Sequence, residues 1–245
     1  MIIETMHYQF GFFAPGSNVE PEPEIISELI DVFRERKFIP STMQTVFWDV
    51  NGVKPKSELL LMTNNSEWNM AFEPHRVLLT KKKIPGKDIE NAKHFREETI
   101  DIYKNLFKVL PLVGTRLSFV SKGLLPEMPI DKLQQVHSKL FYPPKFFSDN
   151  PPHSWTTRNL TRYKIEILDN TETINVITDI NRIQGEFTDE NVSKPFDRIE
   201  IGFDINTYQL NKKQRFNLKE IELFLDKVIP ISQQISLEIG EMIND

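Results

Sequence analysis

A chain of 245 residues with 39% hydrophobic side chains and 18 phenylalanines can bury the core of one large domain or two small ones, which excludes wholesale disorder. Its net charge of -5, shared about equally by the two halves, argues against a basic nucleic-acid module. The absence of cysteine removes disulfides, thiolate metal sites, Fe–S clusters and cysteine nucleophiles together.

The opening MIIETMHYQFGFF lacks the basic start of a signal peptide, and no apolar run reaches the length of a membrane span, so a soluble, cytoplasmic protein is expected. Residues 2–13 alternate as a strand, with Ile2, Met6, Tyr8, Phe10 and Phe12 facing a core. Ala14-Pro-Gly-Ser-Asn is a loop, and a helix at about 23–37 presents Ile25, Ile26, Leu29, Ile30 and Phe33 before Pro40 ends it. Strands follow near 42–50 (Val46, Trp48 and Val50 on one face), 57–63, 67–73 and 75–82, with a hairpin turn at Asn51-Gly52.

The segment 88–110 reads as a long amphipathic helix with Asp88 at its N-cap, stopped by Pro111. It runs into a strand at 115–122. A helix at about 129–141 comes next, then strands near 158–168, 172–181 and 196–208. The last strand is cleanly divided: Ile199, Ile201, Phe203 and Ile205 face in, and Arg198, Glu200, Asp204 and Asn206 face out. A final helix at about 217–242 contains Pro230, which should kink or split it.

Each half therefore reads strand, helix, three or four strands, helix. The expected fold is α+β: two tandem β-α-β(3–4)-α units, 1–111 and 112–245, with helices packed on antiparallel sheet, as two domains or one compact one. If the halves were separate, residues 111–114 would be the hinge; if continuous, Arg116 would lie near a pseudo-twofold axis.

Two motifs accompany this order of elements. One is the arginine-bearing strand Gly114-Thr-Arg116-Leu-Ser-Phe119, and the other the alternating Ile199-Glu-Ile-Gly-Phe-Asp204-Ile. On these the chain resembles an uncharacterised, sporadically distributed family of bacterial proteins of about this length, which brings no activity with it. The half-repeat order is also similar to that of the TATA-binding-protein saddle, a likeness of fold that carries no function.

The most unusual segment is the proline-rich connection at 141–155, where Phe146, Phe147 and Trp155 offer bulky apolar contacts for another protein; the alternative is that these rings cap one end of the core. Lys81, Lys82 and Lys83 form the main basic cluster, a contact for an anion or simply a solvated strand end. Arg116, Arg158 and Arg162 are further candidates for anion or nucleic-acid contact, the last two because Trp155 and Tyr163 lie beside them and aromatics interleaved with arginines can stack bases. The five histidines lack metal-ligand spacing. Glu200 and Asp204 share a strand face that could hold a divalent ion, or is simply the wet side of that strand.

No nucleophile elbow, phosphate loop or dinucleotide fingerprint occurs, and no cofactor or metal is expected. The leading expectation is a non-enzymatic binding or interaction protein, an accessory or regulator in a bacterial defence or toxin-linked system. The alternatives are a metal-dependent nuclease or other hydrolase that gathers Glu200, Asp204, His75 and His153, and a single-stranded nucleic-acid binder disfavoured by net charge.

Overall fold

The computed structural model describes residues 4–17, 19, 21–49, 52–189 and 192–244, with backbone alone for 45–49, 52–56, 187–189, 192 and 244. The expected inward face of Val46, Trp48 and Val50, the turn residue Asn51 and the N-terminal Ile2 lie outside the described side chains.

Within these limits the chain runs β1 (Glu4–Phe13), α1 (Pro23–Val32), β2 (Phe38–Asp49), β3 (Gly52–Thr63), β4 (Trp68–Glu73), β5 (Arg76–Lys82), α2 (Ala92–Val109) and β6 (Arg116–Leu124). It continues α3 (Ile130–Phe141), α4 (Lys145–Asp149), β7 (Trp155–Ile167), β8 (Asn170–Asp189), β9 (Val192–Thr207) and α5 (Leu218–Asn244).

The nine strands form one antiparallel sheet in the order β2-β3-β4-β5-β1-β6-β9-β8-β7. This overturns the expectation of two tandem units. β1 and β6 pair directly along their length, from Glu4 with Leu124 to Phe13 with Arg116, so the sheet crosses the expected boundary without a break. The main hydrophobic core crosses it too, joining Phe10, Phe72 and Phe95 to Ile174, Ile205 and Phe224.

The connection at 111–114 is no hinge. Gly114 donates its N–H to the Phe216 carbonyl (2.7 Å), and Thr115 donates to that of Phe13 (2.7 Å). A Cβ on Gly114 would stand 2.7 Å from the Phe12 ring, so only glycine lets the backbone pass there.

Strand alternation divides the sheet into two unlike faces. The inner face carries Tyr8, Phe10 and Phe12 of β1, Val77 and Leu79 of β5, Leu117 and Phe119 of β6, and Ile199 to Ile205 of β9, all buried. Helices α1, α2 and α5 cover most of it, and α3 covers a second cluster around Leu133, Val136, Trp155, Ile199 and Ile201. Ile235 of α5 packs against both clusters. Burying each large side chain of this kind stabilises the fold by roughly 1.5–3 kcal/mol. The Tyr103 hydroxyl, fully buried, keeps its hydrogen bond by donating to the Val77 carbonyl at 3.1 Å.

Several boundaries differ from the sequence reading for local reasons. Helix α1 stops at Val32; a 3-10 turn at Arg34–Arg36 and a left-handed Lys37 (φ 56°) follow, and Pro40 lies inside β2. An edge strand tolerates proline because one side of it needs no backbone donor. Helix α2 begins at Ala92, not near 88, because Asn91 is its cap and accepts from the His94 N–H at 3.0 Å; Asp88 pairs with Lys83 instead. Helix α5 runs unsplit through Pro230. Asn217 and Glu220 form a reciprocal cap at its start, Asn217 accepting from the Lys219 N–H and Glu220 from the Asn217 N–H, both at 2.9 Å. Among the described residues, no helix is long and apolar enough to cross a membrane.

Candidate functional site: the outer face of the sheet

The outer face is built by the residues that alternate with the buried ones. Antiparallel register lines them up in rows across the strands. One row runs Glu73, Arg76, Phe13, Arg116 from β4 to β6. The next runs Ala71, Leu78, Gly11, Ser118, Asn206, Asn175, Arg162 from β4 to β7. A third runs Lys82, His7, Lys122, Gly202, Asp179, Arg158 from β5 to β7.

The first row is a band of cations on rings. The Arg116 guanidinium carbon lies 4.7 Å from the Phe13 ring centre, and that of Arg76 lies 5.7 Å from the same ring. Arg162 reaches across β8 to lie 4.6 Å from the ring centre of Tyr208, which follows β9. The register that pairs Ser118 with Asn206 brings Tyr208 level with Arg116. Flat guanidinium groups stack on such rings with both charge and dispersion favourable.

The charges of this face are unevenly compensated. Arg76 holds Glu73 (2.6 Å), Lys122 holds Glu200 (3.4 Å), Arg158 holds Asp179 (2.8 Å) and Arg198 holds Glu4 (2.7 Å). Lys82, Arg116, Arg162 and Lys164 make no ion pair among the described residues. Arg116 Nε is buried with no hydrogen-bond partner. Burial pushes the Arg116 pKa down; the nearby Asp204 opposes this and Arg76 reinforces it. Among the described residues of this face, Asp204, which accepts from Asn206 Nδ2 (2.8 Å), and Glu166, which accepts from the Thr171 hydroxyl (2.7 Å), make no ion pair. Asn175 donates to Asn206 in turn (3.0 Å), so a chain of amides runs beside the arginine row. His7 is held below the usual histidine range, first by burial and then by Lys122.

The residues singled out in the sequence are scattered by the fold. Trp155 is 7% exposed and sits in the second core cluster with His137 and Phe141, whereas Phe146 and Phe147 are 68% and 46% exposed on α4, edge to face at 5.4 Å. The wet aromatic group is thus Phe146, Phe147 and the neighbouring Tyr142, without the tryptophan.

Lys81 is 2% exposed on the inner face, ion-paired with Glu67 and Glu90 and lying over the Trp68 ring. Lys83 is taken up by Glu4 and Asp88, and only Lys82 of the three points to the outer face unpaired. Arg158 is spent on Asp179, while Arg116 and Arg162 stay available. Glu200 and Asp204 share the outer face but lie four residues apart on β9, with Gly202 between them. No group of three or more His, Asp or Glu side chains that could hold a metal exists among the described residues, and His75 and His153 do not join these carboxylates.

Sequence reading overlooked Phe13, Arg76 and Tyr208. The signal was present for two of them: Phe13 follows Phe12 and Arg76 precedes Val77, so each must face away from a core residue. No protein-family model matches the chain, and no curated protein matches it.

Proposed function

We propose that this is a non-enzymatic binding protein and that the outer face of its sheet is the surface that receives a macromolecular partner. The observation that carries the reading is Arg116, a half-buried guanidinium at one end of that face on the inner strand β6, stacked on Phe13 and lacking any acceptor for its buried Nε. A folded chain tolerates an uncompensated buried donor poorly, and functional surfaces are where such costs are kept.

The test is cross-linked affinity capture from an extract, comparing the wild type with Val120→Asp/Leu160→Asp, which charges two apolar positions of the outer face. Loss of capture by a variant that melts normally supports the reading. Capture of every partner at undiminished yield overturns it.

A second reading places a partner protein on the α3–α4 connection, because Phe146 and Phe147 expose two touching rings beside Tyr142. Loss of capture on Phe146→Ala/Phe147→Ala, with the outer-face variant unaffected, would favour that surface.

A further inference from the structure

Eight of the ten arginines among the described residues hold a carboxylate, including every deeply placed one other than Arg116: Arg36 with Glu98, Arg96 with Glu222, Arg182 with Asp197 and Arg215 with Glu172 are examples. The two exceptions are Arg116 and Arg162. They are not scattered. Each lies on an aromatic ring, at the same end of the outer face, with Tyr208 of the one level with the other.

We propose that this end of the outer face binds single-stranded nucleic acid, with Arg116 taking a phosphate and the ring-stacked guanidinium of Arg162 providing a platform for a base. The proposal rests on the reading of the outer face as the binding surface and names the class of partner.

Three features favour this partner. First, Arg116 holds no carboxylate and its guanidinium offers only donors, so the ligand it lacks is an oxyanion by its chemistry, whereas Arg76 on the same ring is already paired with Glu73. Secondly, the adjoining row is low: Gly11 has no side chain, and the short Ser118 and Asn206 are buried (8% and 2% exposed), which leaves room for a flat base to lie over them.

Thirdly, an acidic peptide gains little at this place. Arg116 stands on β6, whose backbone is already paired with β1 and β9, so an extended peptide has no main-chain hydrogen bonds to collect there. A nucleic acid needs none. Its phosphates and ring faces meet arginine and aromatic side chains directly. The net charge of -5 is no obstacle at this range, because exposed charges more than about 10 Å away are largely screened at ordinary salt.

The test is fluorescence anisotropy over a salt series centred on about 0.1 M with fluorescein-labelled oligothymidylate and oligouridylate, beside a labelled polyglutamate peptide of equal charge. The wild type is expected to bind the oligonucleotides in preference to the peptide. Arg116→Gln and Arg162→Gln should each weaken binding about tenfold, and Arg116→Gln, which removes the phosphate contact, should also reduce the salt slope by about one. Lys108→Gln, on the helix side, should change neither. Arg162 is exposed, so its variant reports on binding even if Arg116→Gln perturbs the fold.

Failure of both oligonucleotides to bind, or binding by both arginine variants as tight as that of the wild type, overturns the proposal. Preference for polyglutamate also overturns it, while leaving the outer face standing as a binding surface. That broader reading is decided separately by the capture experiment with Val120→Asp/Leu160→Asp.

Discussion

Arg116 and Phe13 are register partners on the two central strands, and the guanidinium of one lies 4.7 Å from the ring centre of the other with no carboxylate bonded to it. Arg215, by contrast, is as deep but grips Glu172 through two hydrogen bonds of 2.6 and 2.9 Å and also donates to the Thr115 carbonyl. The two arginines should therefore respond oppositely to the same change. Arg116→Met removes an uncompensated charge and should leave stability within about 1 kcal/mol of wild type, or raise it, whereas Arg215→Met strands a buried carboxylate and should cost about 3–5 kcal/mol. Urea denaturation of both variants checks this, and a large loss for Arg116→Met would show that the side chain is structural.

Lys81 should matter to the fold rather than to any ligand. Lys81→Met is expected to destabilise by about 3 kcal/mol, because Glu67 and Glu90 lose their buried partner. Lys81 also draws the Glu90 pKa down from 4.5 to about 2. A carboxyl depressed in the folded state adds stability that is present above pH 4.5 and lost as pH falls towards 2. Denaturation midpoints across that window should fall less steeply in Lys81→Met than in the wild type.

His7 gives a second pH dependence nearer neutrality. Burial and the cations Lys122 and Lys82 lower its pKa from 6.5, with Glu200 opposing them, so the folded state favours the neutral ring. Stability is fully present above 6.5 and lost as pH falls below it. His137, lowered by burial and Arg182, acts with the same sign. His7→Gln should flatten the wild-type profile between neutral and mildly acidic pH; an unchanged slope would dismiss His7 as its source.

The two parts of the 141–155 connection should separate cleanly in thermal melts. Trp155→Ala opens a cavity among His137, Phe141 and the second core cluster and should cost about 3–5 kcal/mol. Phe146→Ala and Phe147→Ala touch no core and should each stay within about 0.5 kcal/mol.

Gly114→Ala should destabilise by about 1–3 kcal/mol, since its methyl group meets the Phe12 ring at 2.7 Å and the bond to Phe216 fixes the backbone. A denaturation curve indistinguishable from wild type would mean that the ring moves aside freely.

Local periodicity made much of this legible. Tyr8, Phe10 and Phe12 bury on one side of β1, and Ile199 to Ile205 on one side of β9, as alternation requires. Strand order was beyond it, because pairing β1 with β6 joins residues more than a hundred positions apart and leaves no mark in either segment. Lys81 shows a readable signal that composition outweighed: it shares parity with Val77 and Leu79 and follows them into the interior, although a run of three lysines suggests a wet strand end. Trp155 lay in a proline-rich stretch without periodicity, and its burial depends on a partner, Arg182, supplied by a later strand. The candidate site was only partly visible for the same reason. Arg116 and Arg162 stood out singly, but the rows joining them to Phe13 and Tyr208 exist only once five strands are in register.

The central position of β1 also bears on how the protein is made. β1 leaves the ribosome well before either strand that flanks it, since β5 begins at Arg76 and β6 at Arg116. Until β5 has emerged, Phe10 and Phe12 have no sheet to join, and until β6 follows, the other edge of β1 stays open. Non-local pairing of this kind slows folding and exposes strand edges to aggregation. One edge of that phenylalanine-rich strand therefore waits unpaired until residue 124 has appeared, a natural point for chaperone action.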